Sequence, residues 1–355
     1  MPLTIIIHPS GFPPVPEIGC ILYLQKKALL YAILKIYVRL GMLIFCRKIR
    51  VNQPAFLSLQ GPLLLACNHP NSFLDGILLD ILFKQPVWAL ARGDVFKKPL
   101  YIKFLGAVKL LPVYRSSEGT ENLFHNYKTF DTCKNIFLQK GIVQIFSEGR
   151  CINEWHLRPL KKGTARLALG SWENNIPLQV LPVGINYSSF RRFGKNVFIN
   201  FGELIRQEQI PAGDTEGKRL LDFNEELNRQ LKKSVLEIGR QDLSAQNRLL
   251  AIQPSLAAKI ILALPAMAGF ILHAPLYLPV KSYVWKRCHH NDHFDSVMAA
   301  ILLFAYPVYI LLITLTFFFL FHSGWAWLLF LLFPFTAWSY TLLKGQTDRA
   351  EYTAP

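Results

Sequence analysis

The chain has 355 residues, which is enough for one large domain or for two ordinary domains with appendages. Hydrophobic residues make up 52% of it and the formal net charge is +16, a charge that fits either nucleic acid or an anionic membrane surface. Long stretches after about Ala257 contain almost no charge, which favours the membrane. The six cysteines form no Cys-x-x-Cys pair, so we expect reduced, packed thiols, and the first residues lack the pattern of a secretory signal peptide.

The N-terminal region, residues 1–46, is predicted to be a membrane-associated helix over residues 19–46. Four polar residues recur at every fourth position and form one stripe on a mostly apolar cylinder: Lys27, Tyr31, Lys35 and Arg39. Such a helix could lie in the headgroup region with its lysines pointing outward. The alternative is a helix that packs on a soluble domain and keeps a charged outer face.

The central region, residues 47–250, alternates short apolar runs with helical patterns. Strands are predicted at 62–67, 86–91, 107–114, 142–146, 178–185 and 196–201, and helices at 72–84, 98–105, 119–139, 161–174 and 216–239. Nearly continuous apolar strands separated by helices predict an α/β domain with a mixed, largely parallel sheet flanked by helices. In such sheets the chemistry gathers beyond the carboxyl ends of the strands.

The C-terminal region, residues 251–355, contains two apolar runs, 297–321 and 326–343, each long enough to span hydrocarbon. Basic residues flank the outer ends of the pair, so we predict a transmembrane hairpin with both ends in the cytoplasm. The run 257–280 contains three prolines and favours a re-entrant or interfacial element. We expect the hairpin to make its own apolar contacts, so that truncation after about residue 250 leaves the α/β domain folded.

The stretch "CNHPNSFLD", residues 67–75, follows a predicted strand and begins a predicted helix. Asp75 lies about one turn into that helix, where its carboxylate could orient the His69 imidazole and leave the second ring nitrogen to accept a proton. A buried histidine at a strand end, with Asp75 serving as a helix N-terminal charge, is the alternative. Asp80 is the rival carboxylate if Asp75 cannot reach the ring.

Three further stretches place basic side chains at the ends of strands or at the start of a helix. They are 106–115, ending in Arg115; 146–150, "FSEGR"; and 161–164, "KKGT", before the apolar run 180–183. Arginine at a strand end and lysine at a helix N-terminus suit a phosphate, because guanidinium and backbone N–H groups both donate to the anion. An ordinary solvated basic surface is the alternative for Arg115, Arg150 and Lys162.

In this order the motifs resemble those of the glycerolipid acyltransferase family, the PlsC-type enzymes that acylate glycerol 3-phosphate or lysophosphatidate. That family carries a His-(x)4-Asp motif, an arginine motif, an "FPEGT/S" motif and an apolar proline motif, matched here by His69 to Asp75, Gly106 to Arg115, Phe146 to Arg150 and Val180 to Val183. The resemblance implies direct acyl transfer from a thioester, with His69 and Asp75 as the catalytic pair and without a metal or other cofactor. It implies substrate binding by these residues: Asn68, Asn71, Arg115, Glu148, Gly149, Arg150 and Lys162.

The sequence departs from the family pattern at two places, the spacing between His69 and Asp75 and the third motif. Five residues, not four, separate His69 from Asp75, a spacing that resembles the yeast-type glycerol-phosphate acyltransferases, and the extra residue must be absorbed in the Pro70-Asn71 turn. Ser147 and Arg150 replace the proline and the threonine of the third motif. Arg150 could strengthen anion binding or change the choice of acceptor.

The sequence therefore predicts a multi-pass membrane enzyme of phospholipid synthesis with its catalytic domain on the cytoplasmic side. It would transfer an acyl group from acyl-CoA or acyl carrier protein to a glycerol phosphate or lysophosphatidate hydroxyl. Another lipid acceptor, such as a lysophospholipid or an amino-acid lipid, and an inactive lipid-binding protein are the alternatives. The histidine-rich stretch "RCHHNDHFD", residues 287–295, invites a metal site but is predicted to be a polar loop that faces the headgroups.

Overall fold

The computed structural model describes residues 17–96, 98–114, 124–211, 213 and 215–347, with only the backbone described for 17–28, 100–101 and 124–125. The helices are α1 (Glu17–Phe45), α2 (Phe73–Leu82), α3 (Pro99–Ala107), α4 (Phe124–Leu138), α5 (Lys162–Glu173), α6 (Glu216–Ser234), α7 (Leu243–Leu250), α8 (Leu256–Cys288), α9 (Phe294–Phe321) and α10 (Leu329–Leu343). The strands are β1 (Cys46–Val51), β2 (Leu63–Cys67), β3 (Val87–Arg92), β4 (Leu110–Val113), β5 (Ile142–Phe146), β6 (Gln179–Tyr187) and β7 (Lys195–Phe201).

The strands form one sheet in the order β1-β7-β6-β2-β5-β3-β4, parallel at every pairing except β6 with β7. This confirms the predicted largely parallel sheet with flanking helices. β1 was missed, because its sequence "CRKIRV" is strongly basic and follows a helix without a break. The predicted strand 107–114 begins only at Leu110, since α3 continues to Ala107 and Lys109 turns the chain at a φ of +62°.

β2 lies in the middle of the sheet, and its side chains are buried on both faces of the sheet. All five of its residues are buried, and they alternate between two hydrophobic cores as a pleated strand requires. Leu63, Leu65 and Cys67 face the core that includes α2, whereas Leu64 and Ala66 face the core that includes α5 and α6. The carboxyl end of β2 is therefore a rigid platform for the residues that follow it.

The polar stripe of α1 contacts the α/β domain, so the predicted outward orientation of its lysines is wrong for Lys35. The Lys35 ammonium donates to the backbone carbonyl groups of Phe83 at 2.9 Å and Gln85 at 3.3 Å, and the Tyr31 hydroxyl donates to Asp80. The opposite, apolar side of α1 is exposed: Leu29, Leu30, Ile33, Ile36, Leu40 and Leu43. An apolar face turned away from the domain suits contact with lipid.

Three helical segments of the described chain are long and apolar enough to cross a membrane, judged by length and composition: Leu256–Cys288, Phe294–Phe321 and Gly324–Leu343. α8 is one continuous helix of 33 residues despite prolines at 265, 275 and 279. It packs closely on α10 at Gly269, where an added Cβ would lie 2.2 Å from the Thr336 carbonyl oxygen. A small residue at such a position lets two helix backbones approach each other.

Both ends of α8 contact the α/β domain. The chain just before α8 is held by Arg47, which donates to the Ile252 carbonyl at 3.0 Å, and Val284 near the other end is fully buried in the core. The middle of the helix contacts the middle of α9, where His273 Nε2 lies 3.0 Å from the Tyr306 hydroxyl. Each end of α8 is thus tied to the same globular domain.

The C-terminal helices share the core of the α/β domain, contrary to the expectation that they pack independently. Their buried side chains in that core are Val284, Cys288, Phe294, Met298 and Ala299. Asp295, at the start of α9, also forms a buried ion pair with Lys195 of β7. Truncation after about residue 250 would expose this core and leave the Lys195 ammonium without its carboxylate, so we now expect it to destabilise the domain.

Candidate active site

The loop after β2, residues 68–75 (the His69 loop), begins at the carboxyl end of the central strand. Cys67 pairs with Phe146 of β5 on one side and with Val183 of β6 on the other. The Asn68 side chain then bonds the Ile185 backbone twice, donating at 3.0 Å and accepting at 2.7 Å. The buried Asn68 amide therefore anchors the loop to β6, and its polar atoms face the strand.

His69 and Asp75 form the predicted pair. His69 Nδ1 lies 2.8 Å from Asp75 Oδ2, and the Asp75 carboxylate is fully buried. The same carboxylate accepts from the Asn71 N–H at 2.8 Å and from the Tyr187 hydroxyl at 2.7 Å. Because the Asn71 N–H and the Tyr187 hydroxyl both donate to this carboxylate, we assign His69 Nδ1 as a third donor that carries the imidazole proton. Nε2 then carries the lone pair.

The other ring nitrogen of His69 is directed outward. The His69 side chain is 12% exposed, and no described residue hydrogen-bonds its Nε2. The imidazole stacks on the Phe146 ring with centroids 3.9 Å apart and planes 11° apart. Stacking on Phe146 and the hydrogen bond to Asp75 together fix the ring, so the unprotonated Nε2 lies exposed at the carboxyl edge of the sheet.

The five-residue spacing is accommodated at Ser72, whereas the sequence predicted the adjustment in the Pro70-Asn71 turn. Ser72 has a φ of +54°, which is unusual for a residue with a side chain, and its N–H donates to Cys151 Sγ at 2.8 Å. Asp80 is not the partner of His69, because its carboxylate accepts from Tyr31 and from the Val87 N–H at 3.1 Å. Asp75 is the carboxylate that meets the ring.

Glu148 supports the His69 loop through the backbone. Its two carboxylate oxygens accept from the N–H of His69 at 2.8 Å and from the N–H of Arg158 at 2.9 Å. Burial raises the pKa of Glu148 to about 7, although the two N–H bonds act in the opposite direction. With both oxygens occupied, Glu148 contributes to the position of His69 and offers little to an acceptor.

The remaining predicted binding residues fall into three groups. Gly149 has a φ of +68°, which glycine adopts without strain, and it turns the chain away from β5. Arg150 and Lys162 are exposed, and Lys162 is the first residue of α5. The N–H of the preceding residue, Lys161, donates to the Ser147 backbone carbonyl at 2.7 Å. Arg115 lies outside the described residues.

A second segment, which sequence reasoning assigned only to a headgroup-facing loop, packs directly on the His69 loop. This covering segment, residues 291–296, comprises the end of the connection between α8 and α9 and the first residues of α9. Asp295 accepts from the Asn71 side-chain amide at 2.9 Å, so this predicted substrate-binding group is engaged within the protein. Ser296 Oγ accepts from the Leu74 N–H at 3.3 Å and donates to the Asn71 carbonyl at 3.1 Å.

Two more bonds connect the covering segment to the site. His293 Nδ1 lies 2.9 Å from Ser72 Oγ, and the Asp292 carboxylate accepts from the Asn153 N–H at 2.9 Å. The cluster of polar residues ahead of an apolar helix was the signal that could have pointed to this contact. Within the described ranges, no group of three or more His, Cys, Asp or Glu side chains could hold a metal ion.

Comparison with known proteins identifies a family domain within the chain. Residues 48–186 match the family model described as Acyltransferase. No curated protein matched the chain. The structure is similar to the crystal structure of the 1-acyl-sn-glycerophosphate (LPA) acyltransferase PlsC from Thermotoga maritima, with 13% identity and a TM-score of 0.39 over 59% of this chain and 82% of that one. The family model agrees with the family predicted from the four motifs, and residues 48–186 form an Acyltransferase domain.

Proposed function

We propose that the chain transfers an acyl group from a thioester, either acyl-CoA or acyl carrier protein, to a hydroxyl of a phosphate-bearing glycerol acceptor. The observation that carries this proposal is the fixed imidazole of His69, with Nδ1 2.8 Å from a buried carboxylate and Nε2 exposed at the sheet edge. A thioester is already activated, so the alcohol chiefly needs a base and alignment.

In the proposed reaction, His69 Nε2 removes the proton of the acceptor hydroxyl as its oxygen attacks the thioester carbonyl. Asp75 stabilises the imidazolium that forms. The tetrahedral intermediate then expels the thiolate, which takes the proton back from Nε2. The products are an ester and a free thiol, and His69 returns to its starting state without an acyl-enzyme or a bound metal.

The acceptor's phosphate is proposed to bind at the basic side chains around the same edge. Arg150 and Lys162 are exposed there, and Lys162 begins a helix, where backbone N–H groups add to the positive potential. Arg115 is proposed to join them, as the family resemblance implies. A lysophospholipid acceptor would carry the same phosphate in a larger headgroup. An open basic edge would discriminate poorly between such an acceptor and a phosphate monoester.

The test uses purified protein with both donors and a panel of acceptors: glycerol 3-phosphate, lysophosphatidate, lysophospholipids and an amino-acid lipid. We expect transfer to a phosphate monoester acceptor, and a rate lower by roughly two to four orders of magnitude for His69→Ala, as for the loss of a general base. His156→Ala, an exposed histidine nearby, is the matched control. Transfer only to uncharged or amino-acid acceptors, or full activity of His69→Ala, would refute the proposal.

We also propose that α9 and α10 cross the bilayer as a hairpin, that both ends of α8 lie on the side of the α/β domain, and that this domain is cytoplasmic. The contacts of both ends of α8 with the domain support this arrangement. The test is impermeant maleimide labelling of intact cells that express Ser255→Cys, His290→Cys or Ser323→Cys. We expect labelling at position 323 alone; labelling at 290 but not at 255 would mean that α8 crosses.

A further inference from the structure

A large crevice lies between the helices that precede and follow the family domain. It has a volume of about 940 Å³ and is lined by α1, α8, α9, α10 and the chain after β6. This volume falls in the range that holds a ligand of lipid or drug size. His69 and Asp75 do not line it. The crevice is thus a space separate from the proposed catalytic pair.

The walls of the crevice are mainly apolar, and they open to the surroundings. Several of its lining side chains are also large, exposed and hydrophobic: Leu40, Leu43, Phe270, Leu278, Leu331 and Trp338. Phe270, Leu278, Leu331 and Trp338 lie on helical segments that are long and apolar enough to cross a membrane. Leu40 and Leu43 belong to the exposed apolar face of α1. In a bilayer the opening would face hydrocarbon, so an acyl chain is the occupant that its walls favour.

Four basic side chains line the same crevice: Arg191, Arg192, Lys281 and Lys344. In the described part of the chain, no carboxylate forms an ion pair with any of the four. Arg191 and Arg192 donate to backbone carbonyl groups, those of His289 and Gly345, and the buried Nε of Arg192 has no hydrogen-bond partner among the described residues. An anion would supply the missing acceptor.

Lys344 lies among aromatic side chains of the crevice. Its ammonium lies within 5.4–5.7 Å of the ring centroids of Tyr340, Phe193 and Tyr277. Burial, with smaller contributions from Arg192 and Lys281, lowers the pKa of Lys344 to about 7. A cation crowded by other cations in a poorly solvated place binds an anion more favourably than an exposed lysine does.

We propose that the crevice binds one anionic, phosphate-bearing glycerolipid of the bilayer, with an acyl chain along the apolar walls and the phosphate at Arg192, Lys281 and Lys344. The combination of an apolar chain site and an unpaired basic cluster selects a lipid over a free anion. A peptide would need backbone partners, which apolar helix faces do not provide. The inference concerns binding and does not depend on His69 acting as a base.

The test measures quenching of tryptophan fluorescence in detergent micelles, because Trp285 and Trp338 line the crevice. Trp325 and Trp327, which are exposed elsewhere, are replaced by phenylalanine in the background. The probes are phosphatidic acid and phosphatidylcholine with identical brominated chains. We expect saturable quenching by phosphatidic acid at a concentration at least fivefold lower than by phosphatidylcholine, and no displacement by an equal concentration of inorganic phosphate.

The variants assign the quenching to the basic cluster. Lys344→Gln and Arg192→Gln should each raise the apparent Kd for phosphatidic acid about fivefold, which corresponds to ~1 kcal/mol for one basic residue near an anionic surface. Lys286→Gln, at an exposed position of α8 outside the lining of the crevice, should leave it unchanged. His69→Ala should bind lipid as well as the wild type, which separates this inference from the proposed reaction. Equal Kd values for the two lipids, equal effects of Lys344→Gln and Lys286→Gln in folded protein, or displacement by phosphate would overturn it.

Discussion

The His69 loop and the covering segment meet at the end of β2, but they are held in place in different ways. The loop continues a fully buried strand, and its own domain fixes its backbone through Asn68 and Glu148. The covering segment follows a helix with a largely exposed surface, and its side chains fix it by reaching the loop. The site is thus complete only when both segments are present.

This difference shows where the acyltransferase domain ends as a physical unit. The family match stops at residue 186, and the sequence pattern predicted a boundary near residue 250. Asp295 and Ser296 lie beyond both limits, yet they accept hydrogen bonds from Asn71 and Leu74. Lys195, which lies beyond the first limit, forms the ion pair with Asp295. The helices after residue 250 therefore serve the geometry of the site as well as contact with the membrane.

The largest effect on this arrangement is expected from Asp295→Asn. The substitution removes the Asp295 carboxylate from the fully buried Lys195 ammonium, and breaking a buried ion pair in this way costs about 3–5 kcal/mol. We expect a fall in melting temperature of the detergent-solubilised protein of roughly 2–4 °C for each kcal/mol. Activity should fall with it, because the amide of Asn71 loses its charged acceptor.

Two further variants decide whether charge at Asp295 is the cause. Asp292→Asn is the matched control, since the amide oxygen can still accept from the Asn153 N–H. The double variant Asp295→Asn with Lys195→Met removes both charges and should recover most of the lost melting temperature. If Asp295→Asn and Asp292→Asn had the same melting temperature, the covering segment would not hold the loop through this ion pair.

Local patterns predicted six of the seven strands, the sheet type and the pairing of His69 with Asp75. Apolar runs of strand length identify β2 and β5, and the residues after them form motifs of a few adjacent positions, including His69 and Asp75. Geometry within one loop is encoded by neighbours in the chain, so a sequence can reveal it. The positive φ of Ser72 shows the limit, because the pattern gave the extra residue but not where the backbone would absorb it.

Long-range contacts could not be predicted in this way. Asp295 lies 224 residues from Asn71, and neither residue's sequence surroundings point to the other. The side chains of Asn68 and Asn71 were assigned to substrate because their acceptors, the Ile185 backbone and Asp295, lie on elements distant in the chain. Glu148 was assigned to the acceptor for the same reason, as its partners are backbone N–H groups that carry no sequence signal.

A smaller effect is expected from Glu148→Gln, which tests how the family domain holds its own loop. One of the two backbone N–H groups would face an amide NH₂ group and lose its acceptor, at a cost of about 1–3 kcal/mol. A displaced His69 should lower kcat by up to about 100-fold, as for a misplacement of ~1 Å. Glu154→Gln, a partly exposed glutamate that pairs with Arg158, is the control.

The pH dependence of stability gives Glu148→Gln a second signature. Burial raises the pKa of Glu148 from its usual 4.5 to about 7, so between these values the folded protein holds a proton that the unfolded chain has released. The stability of the wild type should therefore decrease as pH rises from about 5 to 7 and level off above that. Glu148→Gln should lack this decrease. Parallel melting curves against pH for the two proteins would refute the assignment.

The smallest effect separates the backbone of the His69 loop from its contact with the covering segment, at Ser72. Ser72→Ala removes the hydroxyl that meets His293 but keeps a Cβ at a φ of +54°, whereas Ser72→Gly removes both. Because glycine adopts positive φ without strain, we expect Ser72→Gly to exceed Ser72→Ala in unfolding free energy by about 1 kcal/mol. His293→Ala should match Ser72→Ala if the hydroxyl acts only through that imidazole. Equal stability of the alanine and glycine variants would mean that the five-residue spacing is absorbed without backbone strain, and that the covering segment alone accounts for the contribution of Ser72.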